Sequence, residues 1–295
     1  VKIVVVGDAG LDVVTRHEGA IPHGGDTRAE VRLAGGGGAN TALWLREGRL
    51  EPTLVARVGD DAGGRLVRSE LEASGVTCAF AVDREAATCA VVVLVDGDGQ
   101  RSMLSDRGAS ARLRPEDIDT AVLAGAAHLH LSGYVLLDPS SREAGLAALA
   151  AAKAADLTTS VDPQAAGLIV DPAAFLDDVR GVDLLLPNAA ELLALTGSAT
   201  PAAALSLLGA VRAVAVTSGS AGASWVEAGG VTTVPAIPAD CVDSTGAGDA
   251  FDAGLLAAWL RGESTEDTLL AGARFGARAV GRAGAQPALE AVSRR

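Results

Sequence analysis

Short apolar runs alternate along this chain with longer stretches of helical period. Val1–Val6 is a short apolar run that ends at Gly7-Asp8, the pattern of a strand buried on both faces. Similar runs follow at Leu54–Val58, Ala127–Leu131, Leu157–Val161, Asp183–Leu186 and Ala213–Thr217. Between them the pattern predicts helices over Asn40–Arg46, Ala62–Ser74, Ser140–Ala154, Ala189–Thr196 and Ala202–Leu208. Gly248–Leu260 and Thr265–Gly281 add two more at the end. This alternation predicts a three-layer α/β/α body around a mostly parallel sheet.

Two regions break the rhythm. Val13–Leu33 carries two short β-type segments around the turn His23-Gly24-Gly25-Asp26. Thr77–Leu104 carries Ala90–Val95, the turn Asp96-Gly97-Asp98-Gly99 and Arg101–Leu104. Both read as antiparallel hairpins inserted into the body, over about 13–34 and 77–106. Inserted hairpins of this kind often form a lid or an interface. The rest of 1–295 reads as one domain.

Composition narrows the classes. Hydrophobic residues make up 49% and aromatics 3%, so Ala, Val and Leu must build the core. A net charge of −13 repels phosphate backbones, so a nucleic-acid partner is not expected. An anionic substrate would need backbone amides, a cation or arginines. Cys78, Cys89 and Cys241 form no CxxC pair; they read as small buried residues in a reducing compartment rather than as a zinc site. No apolar run reaches the ~20 residues of a membrane span. The first residues lack the basic segment of a leader, so a cytoplasmic protein is expected.

Four segments could carry chemistry. Asp243-Ser244-Thr245-Gly246-Ala247-Gly248-Asp249 opens an apolar helix. Amides of Gly246, Ala247 and Gly248 at a helix N-terminus suit an anion, and Asp249 in the first turn could take a proton from an attacking hydroxyl. The same spacing fits a plain capped helix start. Gly35-Gly36-Gly37-Gly38 followed by Asn40 would let a polar ligand approach, or be a flexible loop. Asn188 and Glu191 have capping-box spacing, and a carboxylate there could also steer Mg²⁺. Thr217, Gly219 and Gly222 follow a strand and could cradle phosphates, as could many turns. With two lysines, neither in a GxxxxGK[ST] loop, a Walker-type site is excluded. His128 and His130 alternate along one strand and read as packed residues rather than a metal pair.

In this order, the segments resemble the PfkB family of ribokinase-like carbohydrate kinases. The Gly-rich stretch with Asn40 resembles its first signature. Asp243–Phe251 resembles the second, DTTGAGDAF, with Ser244 in place of one threonine. Asn188 and Glu191 match NxxE; Thr217, Gly219 and Gly222 match TxGxxG; Arg282-Ala283-Gly284-Ala285-Gln286 resembles a C-terminal RxGAQ. The resemblance implies ATP-dependent phosphorylation of a sugar hydroxyl, with Asp249 as base and the Gly246, Ala247 and Gly248 amides as anion hole. It implies sugar contacts from Gly10, Asp12, Gly36, Gly37, Asn40 and Arg107. It implies an ATP and Mg²⁺ site at Asn188, Glu191, Thr217, Gly219, Gly222 and Ala273. It implies a K⁺ site at Asp243, Thr245, Ala279, Arg282 and Gly284, and a lid that can clasp a homodimer. Ala288 stands where ribokinases often have Ser, which weakens the K⁺ expectation.

Gly10 and Gly37 stand where ribokinases usually carry Asn and Lys, and Leu131-Ser132-Gly133-Tyr134 stands where they place Glu near the end of the middle strand, so ribose itself is less firmly implied than the class. Ser132-Gly133-Tyr134 and Arg107-Gly108-Ala109 are closer to fructokinase-like and 2-keto-3-deoxygluconate-kinase-like members. In the latter reading Arg107 pairs with a substrate carboxylate. A nucleoside kinase and a non-catalytic sugar or nucleotide sensor are the alternatives on the same fold.

Overall fold

The computed structural model describes residues 1–35, 38–97 and 101–287. Its elements, in chain order, are β1 (Lys2–Val6), β2 (Gly10–His17), β3 (Ala29–Gly35), α1 (Gly38–Glu47), β4 (Glu51–Gly59), α2 (Ala62–Ala73) and β5 (Thr77–Asp83). Next come β6 (Cys89–Val95), β7 (Arg101–Asp106), β8 (Ala126–Ser132), α3 (Tyr134–Leu137), α4 (Arg142–Ala154), β9 (Thr158–Asp162) and α5 (Pro172–Asp178). The chain closes with β10 (Leu184–Leu185), α6 (Ala189–Thr196), β11 (Ala213–Thr217), β12 (Ala223–Glu227), β13 (Gly230–Val234), α7 (Ala247–Trp259) and α8 (Thr265–Val280).

The main sheet runs in the order β13-β12-β11-β10-β9-β8-β1-β4-β5. Its strands are parallel from β11 to β5, and β12 and β13 add an antiparallel edge. Apolar side chains alternate between two cores. Ile3 and Val5 of β1 face α1, α2, α7 and α8; Val4 and Val6 face α4, α5 and α6. The three-layer α/β/α fold is therefore present. Among the described residues no single helix is long and apolar enough to cross a membrane.

A second sheet of four strands, β3-β2-β6-β7, stands apart from the first. β2–β3 and β6–β7 are the antiparallel hairpins, and β2 and β6 pair in parallel at its centre. The structure corrects the boundary of the second insertion. Thr77–Asp83 pairs in parallel with β4 as the edge of the main sheet, so the second hairpin of the small sheet begins at Cys89. Arg57 fixes that edge: its guanidinium reaches Asp83 and Asp117 at 2.9 Å each. The 201–209 segment is a 3₁₀ helix rather than an α-helix. Of the three cysteines expected to be buried, Cys89 is buried, Cys78 is half-buried and Cys241 is exposed.

The turn after β11 is shaped by one glycine. Gly222 has φ +97°, and a Cβ there would sit 2.1 Å from the Val234 carbonyl oxygen. Ser218 N–H donates to the Gly222 carbonyl at 2.9 Å, closing the loop. Gly222→Ala is expected to lower stability by about 1–3 kcal/mol through left-handed backbone strain and the clash with β13. Equilibrium denaturation checks this; an unchanged midpoint would contradict the packing described.

Candidate active site

Parallel strands place their C-terminal ends on one edge, where the connecting loops can build a site. Two cavities meet there. A cleft of about 210 Å³ is lined by Asp162, Gln164, Asn188, Glu191, Asp249 and Asp252, with Gly246 and Gly248. A larger cavity of about 740 Å³ continues from Asn188 and Thr217 past Gly219, Gly222, Ala247 and Ala273 to Ala277 and Val280.

Asp249 stands at the junction because the loop before α7 is pinned. Asp243 Oδ1 accepts from Thr245 N–H at 2.9 Å and from its hydroxyl at 2.7 Å. Asp243 Oδ2 accepts from Gly284 N–H at 3.1 Å. Gly246 then takes φ +73°, and a Cβ on it would lie 2.5 Å from the Ala285 carbonyl oxygen. Only glycine permits that turn without strain. Of the three amides expected to form the anion hole, Ala247 N–H turns back to the Ser244 carbonyl at 3.3 Å, and its residue lines the larger cavity. Gly246 and Gly248 line the cleft itself.

Asp249 is buried and pushed up to about 6 by desolvation. Hydrogen bonds from Thr41 (2.6 Å), Gln164 and Asn40 oppose that shift by favouring the carboxylate. Asn40 Oδ1 is buried without a partner, an acceptor available to a hydroxyl. Asp12, on β2 of the small sheet, is pushed up to about 7 by burial and then by the charge of Asp249. Asp12, Asn40 and Asp249 are thus brought together from three distant segments. Gly10 packs against β6: a Cβ there would meet the Cys89 carbonyl oxygen at 2.6 Å. Gly36 and Gly37 lie outside the described residues.

Arg107 is already engaged. Its guanidinium grips both Asp8 oxygens at 3.1 and 2.8 Å and Asp138 at 2.5 Å, and it lies over the Tyr134 ring. An incoming carboxylate would compete with two in place. The fork–carboxylate geometry is a strong pairing, and it ties the end of β7 to the body.

Glu191 forms the capping box of α6. Its carboxylate accepts from Asn188 N–H at 2.9 Å and Nδ2 at 2.6 Å, while Asn188 Oδ1 accepts from Ala190 and Glu191 amides. The capping reading of that motif holds, and the capped carboxylate also lines the cleft. Burial raises Glu191 above the usual carboxylate range. Ala279 carbonyl receives Arg282 N–H at 3.3 Å, so Asp243, Thr245, Ala279, Arg282 and Gly284 form one stitched neighbourhood beside Gly246.

Three site residues escaped the sequence reading: Asp162, Gln164 and Asp252. Asp162 ends β9 and bonds Gln164 through N–H (2.9 Å) and Nε2 (2.5 Å). Asp252 lies three residues beyond Asp249 on α7, one helical turn along the same face. Burial raises Asp162 and Asp252 well above the usual range, and a hydrogen bond joins them. Two carboxyls in that contact must hold a proton between them. The available signals were Asp162 at the end of an apolar run and the i,i+3 spacing of Asp249 and Asp252.

Comparison with known proteins identifies the family. The sequence pattern of the pfkB family of carbohydrate kinases matches residues 1–292. An ATP-dependent ribose-1-phosphate kinase of Halopiger xanaduensis is 33% identical over 99% of this chain and 97% of its own. A fructokinase of Klebsiella pneumoniae is 33% identical over 87% of this chain and 83% of its own. A solved E. coli structure in complex with ATP and Mg²⁺ superposes with a TM-score of 0.87 at 25% identity, covering 96% of this chain and 94% of that one. Together with the cleft at the strand ends, these place the chain in the pfkB family: it is a carbohydrate kinase, a phosphotransferase that acts on sugars.

Proposed function

We propose that this kinase moves the γ-phosphate of ATP onto a hydroxyl of an uncharged sugar, with Asp249 taking the hydroxyl proton. The observation that carries the reading is Asp249 itself. It is a buried carboxylate in the first turn of α7, beside Gly246 and Gly248, where a 210 Å³ cleft meets a 740 Å³ cavity. The sugar lies between Asp12, Asn40 and Asp249. The nucleotide takes the larger cavity, its phosphates toward Thr217, Gly219 and Gly222 and its base among Ala273, Ala277 and Val280.

The hydroxyl proton passes to Asp249 as the sugar oxygen bonds to the γ-phosphorus. The bond to the bridging oxygen breaks and its electron pair leaves with ADP. Gly246 and Gly248 amides, with the positive end of α7, stabilise the charge on the transferring group. Glu191 is the carboxylate nearest in role to a Mg²⁺ site, with Asp162 and Asp252 beside it. No cluster of three or more ligating side chains occurs among the described residues. That set suits an ion held by one or two carboxylates and by substrate phosphates, where it would neutralise phosphate charge. A K⁺ ion beside Asp243 and the carbonyls of Thr245, Ala279, Arg282 and Gly284 would steady the Gly246 turn.

An uncharged sugar is favoured by local charge. Asp8, Arg107 and Asp138 together carry one net negative charge, and Asp12 and Asp249 add more carboxylate. A phosphate or carboxylate on the acceptor would meet repulsion there. The small sheet would close over the sugar and exclude water. Its outer strands expose Val31, Met103 and Leu104, which supports a clasp between two copies.

Asp249→Asn is expected to lower kcat by about 10²–10⁴-fold while ATP binding is retained. Coupled ADP-release kinetics and calorimetry check this; near wild-type turnover would refute the base assignment. For the native enzyme, a base pushed up to about 6 must be ionised to act. The sign is therefore a kcat that falls as pH drops through about 6 and levels above it. Asp12→Asn should raise KM for the sugar and leave KM for ATP unchanged. Across ribose, fructose, ribose-1-phosphate and 2-keto-3-deoxygluconate, kcat/KM should be highest for a neutral member. Preference for an anionic one would overturn the charge argument.

A further inference from the structure

The donors that hold the Asp249 carboxylate are not equivalent. Gln164 Nε2 also donates to Asp162, at 2.5 Å, so its amide is shared between two carboxylates. Asn40 keeps its Oδ1 buried and unpartnered, an acceptor left for the sugar. Thr41 has a single proton to give, and it gives it to Asp249 Oδ1 at 2.6 Å. The bond is buried and joins residues 208 positions apart.

A threonine inside a helix can turn its hydroxyl back onto a carbonyl of the preceding turn. The hydroxyl of Thr41 crosses instead from α1 to the first turn of α7. β-branching leaves a threonine few rotamers, whereas an aspartate carboxyl turns easily about its last torsion. A stiff donor therefore sets the plane of a soft acceptor.

The helix that carries Thr41 is a fixed reference. Every residue from Gly38 to Leu45 is buried. Its start is pressed onto the end of β1: a Cβ on Gly38 would lie 3.0 Å from the Gly7 Cα. Ala39 N–H donates to the Asp8 carbonyl at 3.2 Å. Trp44 is three residues beyond Thr41, on the same side of the helix. Its indole N–H donates to the Ala285 carbonyl at 2.8 Å, again in the interior. That carbonyl is the one packed against Gly246, 2.5 Å from where a Cβ would stand. One face of α1 thus ties down both Asp249 and the turn before α7, and Asn40 sits next to Thr41 in the same helix.

We infer that Thr41 is a positioning residue for phosphoryl transfer: its hydroxyl sets the angle at which the Asp249 carboxylate meets the sugar hydroxyl held by Asn40. This role rests on Asp249 being the base. Oδ1 accepts from Thr41 both before and after the carboxyl takes the sugar proton, so Thr41 keeps its own proton and none of its bonds changes in the reaction. Thr41 lines neither the cleft nor the nucleotide cavity, so its hydroxyl is not spent on binding sugar or ATP. A base and an acceptor set from adjacent residues of one buried helix are held in a reactive arrangement before the reaction begins.

Thr41→Val keeps the branched shape and removes the hydroxyl; Thr41→Ser keeps the hydroxyl. The test is kcat and the KM values for sugar and ATP in both variants, alongside melting temperatures. Rates are read well above the pH range in which Asp249 titrates. The carboxylate is then ionised in every variant, and a loss reports geometry rather than charge. Thr41→Val is expected to lower kcat by about 10–10²-fold, the scale of a small misplacement at a reacting centre. Both KM values should be unchanged, and Thr41→Ser should recover most of the loss. Wild-type kcat in folded Thr41→Val would overturn the role, as would a loss that Thr41→Ser shares in full or one that appears in KM alone. If Thr41→Val does not fold, Thr41→Ala, which puts no methyl group against the carboxylate in place of the hydroxyl, decides by the same readings. Asp249→Asn separates the two claims: if it retains turnover, the base reading fails first; if it is inactive and folded Thr41→Val is normal, only the positioning role fails.

Discussion

A carboxylate must stay usable as a base after it has been taken out of water, and much of this structure follows from that constraint. Burial alone would push Asp249 still further above the usual carboxylate range. Thr41, Gln164 and Asn40 donate to it from α1 and from the turn after β9, holding its pKa at about 6. Those donors are placed by the first turn of α1 and by the turn that follows β9. The loop before α7 is fixed by Asp243 and by a glycine whose φ no other residue tolerates well. Removing one donor or adding one Cβ would therefore move the same carboxylate by different routes.

The neighbouring carboxyls extend the constraint. Asp12, Asp162, Glu191 and Asp252 are all raised by burial, so the cleft is a place where negative charge is expensive until a cation or a proton arrives. Phosphate alone would not enter such a cleft. Phosphate with Mg²⁺ and backbone amides would, which fits a phosphotransferase.

The body of the fold was legible because apolar runs and helical periods report burial directly. β1, β8, β9, β11, α2, α6 and α7 fall within a few residues of their sequence positions. β5 was not legible as a body strand. Its Thr77–Asp83 pattern is half-buried at a sheet edge, which looks like a hairpin strand until its partner is known. The 201–209 segment has a helical composition, and only packing selects the tighter 3₁₀ turn. Asp249, Asn188 and Glu191 could be named because each sits in a spaced motif, and Asp12 because the family resemblance implied it. Asp162 and Gln164 carry no such spacing, since the strand order brings the end of β9 to the cleft; Asp252 is tied to it only by its i,i+3 position after Asp249 on α7. Arg107 was legible as a lid-edge cation, but its two partners, Asp8 and Asp138, lie 99 and 31 positions away.

The central claim is that Asp249 is a buried carboxyl poised near neutrality. Carbon-13 NMR titration of protein labelled at aspartate carboxyls, compared with Asp249→Asn, tests it without a substrate. The account predicts one carboxyl resonance titrating at about 6 in the native enzyme and missing in the variant. If the resonance that disappears in Asp249→Asn instead titrates in the ordinary aspartate range, about 3.9, the burial that organises this site does not act as described.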